Sequence, residues 1–131
     1  MKYFLNKLLS SEPDVSLYAL WDSEGGGLYG RTDMEGVTLT PLFTGEPDAE
    51  EFLVGSGEES TMWAIHEIRG VLGVERFTRD VQRYTRATHY VINPPALSDV
   101  PFRRFPLSML PEVARAMARG PGSPTRSQPR T

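Results

Sequence analysis

The stretch VTLTPLFTGEPDAEEFL, residues 37–53, changes its hydrophobic period in the middle. Its first half, residues 37–43, carries β-branched and large apolar residues at a spacing near two, which is typical of a strand. Its second half places three apolar residues at the i, i+3, i+4 spacing of one helical face: Ala49, Phe52 and Leu53. Pro47 suits the first turn of a helix, and the acidic residues around it favour the helix dipole. The stretch therefore predicts a strand followed directly by a helix.

Further periodic segments on both sides of this junction complete the predicted fold. Apolar alternation predicts strands over residues 15–21, 28–31 and 88–92, and helical spacing predicts helices over residues 4–9, 62–72, 75–86 and 110–117. We expect an α+β fold, a small and mainly antiparallel sheet of about four strands packed with helices, in one domain over residues 1–119. Residues 120–131 contain no apolar side chain, so we expect a disordered tail rich in proline, serine and arginine.

Composition excludes several classes of site before any motif is considered. The chain has 131 residues, 39% hydrophobic and 24% charged, which suits one soluble globular domain. The absence of cysteine excludes disulfides, thiolate metal sites and a cysteine nucleophile. No segment has the pattern of a signal peptide or the length of a membrane span. We therefore expect a cytoplasmic protein that does not bind a membrane.

Charge is distributed unevenly along the chain. Residues 32–68 contain nine acidic residues and no basic one, whereas residues 69–131 contain eleven arginines and four acidic residues. The net charge of −3 therefore hides an acidic middle and a basic second half. Two interpretations remain open: the two halves pack or pair within one domain, which we favour, or they bind a partner.

Two short segments resemble a known family. The sequence PLFTGEPDAEEFL at residues 41–53, followed by VINPP at residues 91–95, resembles the N-terminal domain of SseB-like proteins. In that family a strand ends in leucine, phenylalanine and threonine or serine, an acidic helix follows, and a later strand ends in asparagine and proline. The resemblance covers residues 15–95 and implies a small α+β fold with a role in protein interaction. It implies no catalytic residues, and the arginine-rich helix and last helix of this chain do not map onto the family pattern.

Motifs for catalysis and metal binding are incomplete in this sequence. His66 and Glu67 begin a pattern like the zinc motif HExxH, but Gly70 occupies the position of the second histidine. Glycine and serine runs lack the context of a phosphate loop or a nucleophile elbow. Trp21 and Trp63 fit either a core or a pocket wall, and their apolar surroundings favour the core. We therefore expect no cofactor and no metal, and we favour a non-enzymatic protein.

A stripe of arginines is the one arrangement in which spacing predicts a binding surface. On a helix over residues 75–86, four arginines lie on one side, opposite an apolar side: Arg76, Arg79, Arg83 and Arg86. Guanidinium groups bind phosphates and carboxylates in a bidentate manner. The first hypothesis is a protein-interaction module, binding a partner or a second copy of the chain. The alternative is a binder of an anionic ligand or nucleic acid through this helix, although the pI near 5.4 argues against nucleic acid. A solvated or internally paired stripe is the simplest interpretation.

Overall fold

A computed structural model describes residues 15–24, 26–57, 62–96 and 103–119. In chain order, these residues form six strands, three α-helices and one 3₁₀ turn: β1 (Ser16–Asp22), β2 (Arg31–Thr32), β3 (Thr38–Leu42), α1 (Glu46–Gly55), β4 (Trp63–Arg69), α2 (Gly70–Tyr84), β5 (His89–Ile92), β6 (Phe105–Pro106), the 3₁₀ turn (Leu107–Met109) and α3 (Leu110–Arg119). The predicted helix over residues 4–9 and the predicted tail over residues 120–131 lie outside the described residues. None of the described helices is both long and apolar enough to cross a membrane.

The strands form a two-stranded and a four-stranded sheet that meet between β1 and β3. β1 pairs antiparallel with β4 over seven residues, and β2, β3, β5 and β6 follow one another in the second sheet. Tyr18 and Phe43 exchange two backbone hydrogen bonds of 2.8 and 2.9 Å, which join the sheets. The expected α+β class is confirmed, but the expected mainly antiparallel four-stranded sheet is not confirmed in detail. The four-stranded sheet contains the parallel pair β3–β5, because α1, β4 and α2 intervene between these strands.

Alternating side chains of β1 build a core on each face of the sheet. Leu17 and Ala19 are buried with Val74, Phe77 and Val81 of α2 and with residues of α3. Leu20 points to the opposite face and is buried with the three apolar residues that the sequence places on one side of α1: Ala49, Phe52 and Leu53. Helix α1 therefore covers one face of the sheet, and α2 with α3 covers the other.

The junction predicted from residues 37–53 is confirmed. β3 ends at Leu42, and α1 begins at Glu46 with Pro47 in its first turn and acidic side chains at its N-terminus. The last helix is also confirmed, since α3 spans Leu110–Arg119. The predicted partner of β1 begins at Leu28, which bridges Trp21, and continues into β2.

The predicted helix over residues 62–72 is wrong. Residues Trp63–Arg69 form strand β4, and the helix begins only at Gly70. Ile65 and Ile68 are spaced as on a helix, but in the strand they point to opposite faces, each toward its own core cluster. Gly70 adopts a positive φ of 75°, which turns the chain directly from β4 into α2.

Candidate functional site

The arginine face of α2, defined by Arg76, Arg79 and Arg83, is exposed to solvent. The opposite side of the helix buries four residues against the sheet and α3: Val74, Phe77, Thr78 and Val81. Their 3.6-residue period leaves the three arginines pointing away from the core. Leu72 lies on the same outer side and is 74% exposed. The structure thus brings three of the four arginines of the predicted stripe onto one surface.

Arg86 does not extend this surface as a helical residue. Helix α2 ends at Tyr84, and Thr85 is the extended residue that follows it. The Thr85 hydroxyl donates to the Val81 carbonyl at 2.7 Å, and the Thr85 backbone N–H donates to the same oxygen at 3.0 Å. The backbone bond is the last i→i−4 bond of the helix, and the Thr85 hydroxyl also accepts from the Ala87 backbone N–H at 3.1 Å, a local bond that competes with further helix growth. Arg86 is exposed two residues beyond the helix end, so the predicted helix boundary is two residues too late.

The arginine face has no acidic partner in the described part of the chain. None of the four ion pairs between described residues involves Arg76, Arg79, Arg83 or Arg86. The guanidinium of Arg83 lies 5.9 Å from the ring centroid of Tyr84, an aromatic side chain that is itself 74% exposed. Helix α1 carries four exposed acidic side chains, Glu46, Asp48, Glu50 and Glu51, but it packs on the opposite face of the sheet. The acidic helix and the arginine face therefore do not meet within one chain.

Other arginines make the internal contacts between the acidic and basic parts of the chain. Arg104, in the segment before β6, donates to Asp33 and, at 2.5 Å, to Glu35, two carboxylates of the β2–β3 turn. The backbone N–H groups of Val37 and Glu35, together with Arg104, lower the pKa of Asp33 below its ordinary value. Internal pairing between the two halves thus exists, but it is made by Arg104 and by Arg69.

Two further ion pairs lie at the edges of α2. Arg115 of α3 donates to Glu75 of α2 at 2.7 Å and connects the two helices. Arg69 lies 3.3 Å from Glu67 at the end of β4. The hydroxyl of Ser16, which donates to Glu67 at 2.9 Å, and the Arg69 guanidinium lower the pKa of the Glu67 carboxyl.

A groove of about 340 Å³ lies between α2 and the strands β1 and β4. Trp21 and His66 line the groove from the sheet, with their rings edge to face at 6.4 Å, and Arg76 and Asp80 line it from the helix. The indole nitrogen of Trp21 is buried and has no hydrogen-bond acceptor among the described residues. The sequence did not predict this groove, because its residues come from three segments. Trp21 belongs partly to the core, as expected, and partly to the groove wall.

The remaining residues considered for chemistry do not converge. Trp63 packs beside the core under α1, with its ring 4.8 Å from that of Tyr29. His89 accepts or donates one hydrogen bond with the neighbouring Thr88 hydroxyl at 2.8 Å and lies on β5, a strand remote from His66 in sheet order. Among the described residues, no group of three histidine or acidic side chains is arranged to hold a metal ion.

The two segments that resemble SseB-like proteins lie side by side. β3 and β5 are parallel, with Leu42 opposite Ile92, so the chain leaves both strands at the same end of the sheet. The Asn93 side chain accepts from the Thr44 backbone N–H at 3.1 Å and donates to the Thr44 hydroxyl at 2.9 Å. Asn93 itself adopts a left-handed conformation with φ of 47°, which asparagine tolerates better than most residues.

No protein-family model matches the chain, and no curated protein sequence matches it. Membership of the SseB-like family therefore stays a prediction from the residues quoted above.

Proposed function

We propose that this protein is a non-enzymatic interaction module that binds an acidic surface of a partner protein through the arginine face of α2. The main observation behind this proposal is that three arginines are exposed on one side of a helix and have no acidic partner among the described residues: Arg76, Arg79 and Arg83. An arginine side chain forms planar, bidentate hydrogen bonds with carboxylates. Because the helix is held by its buried side, these donors are presented on a rigid element.

A protein partner suits this surface better than nucleic acid. Leu72 and Tyr84, both 74% exposed, accompany the arginines, and tyrosine and arginine are enriched in protein interfaces. The chain carries a net charge of −3, and helix α1 exposes four acidic side chains. An acidic chain of this kind repels nucleic acid more strongly than the acidic patch of a protein, because the phosphate backbone has the higher density of negative charge.

We propose no catalytic reaction for this protein. His66 and Asp80 line the groove beside α2, but none of the described residues that line it with them is a serine, threonine or lysine. Cytoplasmic location and kinship with SseB-like proteins are parts of the same proposal. The contact between Thr44 and Asn93 supports the kinship, because it joins the two segments in which the resemblance lies.

Charge reversal on the arginine face tests the proposal. The variant carrying Arg79→Glu and Arg83→Glu should bind immobilised poly-glutamate at least about tenfold more weakly than the wild type, equivalent to about 1.4 kcal/mol. Rising salt should weaken wild-type binding in the same assay, because screening shortens the range of the attraction.

A control with the same total charge carries Arg31→Glu and Arg103→Glu, two exposed arginines that lie in β2 and just before β6. It should bind poly-glutamate like the wild type, and circular dichroism should show all three proteins folded. Equal losses in both variants would reject a specific face, and so would a wild type that does not bind. Tighter wild-type binding to single-stranded DNA than to poly-glutamate at one salt concentration would assign the face to nucleic acid.

A further inference from the structure

We propose that strand β4 is a dimerisation edge, on which a second copy of this chain pairs its own β4 in antiparallel orientation. This inference goes beyond the proposed function, because it requires no acidic partner. It begins from the position of β4, which pairs with β1 on one side and ends the sheet on the other side among the described residues.

The hydrogen bonds around β1 show which backbone groups of β4 face outward. Tyr18 exchanges backbone hydrogen bonds with Phe43, so the backbone N–H and C=O groups of Tyr18 point away from β4. The carbonyl of Val15 accepts from the backbone N–H of Gly70, so it points toward β4. Along an antiparallel strand, the backbone groups of successive residues point alternately to the neighbouring strand on one side and to the neighbouring strand on the other side. His66 and Ile68, opposite Ala19 and Leu17, therefore bond to β1.

Ile65 and Glu67 consequently direct their backbone N–H and C=O groups to the open edge. Neither residue has a backbone hydrogen bond on that side within the described part of the chain. Proteins usually protect such an edge by keeping it short or by placing proline, lysine or a bulge in it. β4 has seven residues in unbroken register, WAIHEIR, with neither proline nor lysine. Its charged pair, Glu67 and Arg69, is already joined by an ion pair.

A two-fold axis at His66 gives two copies of β4 a matching register. Ile65 then lies opposite Glu67 of the partner subunit, and both residues direct their backbone groups outward, as a hydrogen-bonded pair requires. The same pair recurs on the other side of the axis, because a two-fold interface uses one surface twice. The result is one sheet that continues from subunit to subunit.

The side of α2 that faces this edge is also self-complementary. Gly70 lies four residues after His66, which is about 13 Å along a strand that rises about 3.3 Å per residue. Helix α2 runs back along the strand with a rise of about 1.5 Å per residue, so it covers the same distance in about nine residues. The axis therefore passes near the level of residue 79. Arg76 and Asp80, which line the groove on this side, lie on the two sides of that level. Each Arg76 thus comes to face Asp80 of the partner subunit, a pairing of opposite charges.

A charge swap tests the helix contact. Sedimentation velocity should find the wild type dimeric at micromolar concentrations. Arg76→Asp places like charges across the axis and should raise the dimer dissociation constant at least tenfold. The double variant Arg76→Asp with Asp80→Arg restores opposite charges and should recover dimerisation. A monomeric wild type, an unaffected single variant or a double variant no better than the single one would overturn the proposal.

Proline at an outward position tests the backbone pairing. Glu67→Pro removes an N–H that points away from β1, so the ladder with β1 is retained and the variant should fold but stay monomeric. Glu67→Ala is its control, because it removes the same contacts with Ser16 and Arg69 and should stay dimeric. Dimeric Glu67→Pro would refute edge pairing. Glu67→Pro leaves the arginine face of α2 unchanged, so it should be monomeric and still bind poly-glutamate, which separates this inference from the proposed function.

Discussion

Asn93 supports the turn after β3 through two side-chain hydrogen bonds and a left-handed backbone, so replacing it separates two physical effects. Asn93→Gly keeps the backbone conformation but removes both bonds to Thr44. Each exposed bond contributes about 0.5 kcal/mol, the low end of the usual range, so this variant should lose about 1 kcal/mol of unfolding free energy. Asn93→Ala keeps the Cβ that asparagine already carries at φ of 47°, but it lacks the polar side chain that lets asparagine tolerate this conformation, which adds about 1 kcal/mol and brings the loss to about 2 kcal/mol.

Urea unfolding followed by circular dichroism measures both losses of unfolding free energy, and thermal melts measure the corresponding decreases in Tm. For a domain of this size, 1 kcal/mol corresponds to a shift in Tm of about 5 °C, so we expect decreases of about 5 °C for the glycine variant and about 10 °C for the alanine variant. The backbone N–H of Asn93 still donates to Leu42 at 2.8 Å in either variant, which keeps β5 in register. If alanine proves as stable as the wild type, or more stable than glycine, the assigned roles of the bonds and the backbone are wrong.

Three further predictions concern stability. The pKa of Asp33 is lowered in the fold, so its contribution to stability is present above about pH 4 and is lost as the pH falls through the lowered value; Asp33→Asn should flatten this acid loss in urea titrations from pH 7 to pH 2. Gly70→Ala should cost about 1 kcal/mol because φ is 75°, whereas Gly27→Ala, which also meets open space but lacks a positive φ, should be neutral in the same thermal melts. A double-mutant cycle on Glu75 and Arg115 should give a coupling below about 1 kcal/mol, since both side chains are partly exposed; a larger value would show that the α2–α3 contact depends on this pair.

Local pattern was sufficient where the burial of a segment is visible in its own residues. Residues 37–53 were predicted correctly as a strand and a helix, because β3 ends in a run of buried residues and α1 buries one surface whose period is visible in the sequence. The arginine side of α2 was visible for the same reason, since the helix rests on a single apolar face. Arg86 was placed on that helix because Thr85 is only a weak stop signal in sequence, although in the fold Thr85 is extended and its hydroxyl accepts from the Ala87 backbone N–H.

Contacts between distant segments decided what the local pattern could not. β4 buries Ile65 on one face and Ile68 on the other, so its apolar spacing imitates a helix, and only pairing with β1 over seven residues makes it a strand. The groove at Trp21, the open edge at Ile65 and the Arg104 ion pairs likewise join residues from separate parts of the chain. A periodic pattern shows which side of a segment is buried, but it does not show which other segment covers that side. That choice depends on burial and hydrogen bonding summed over the whole fold.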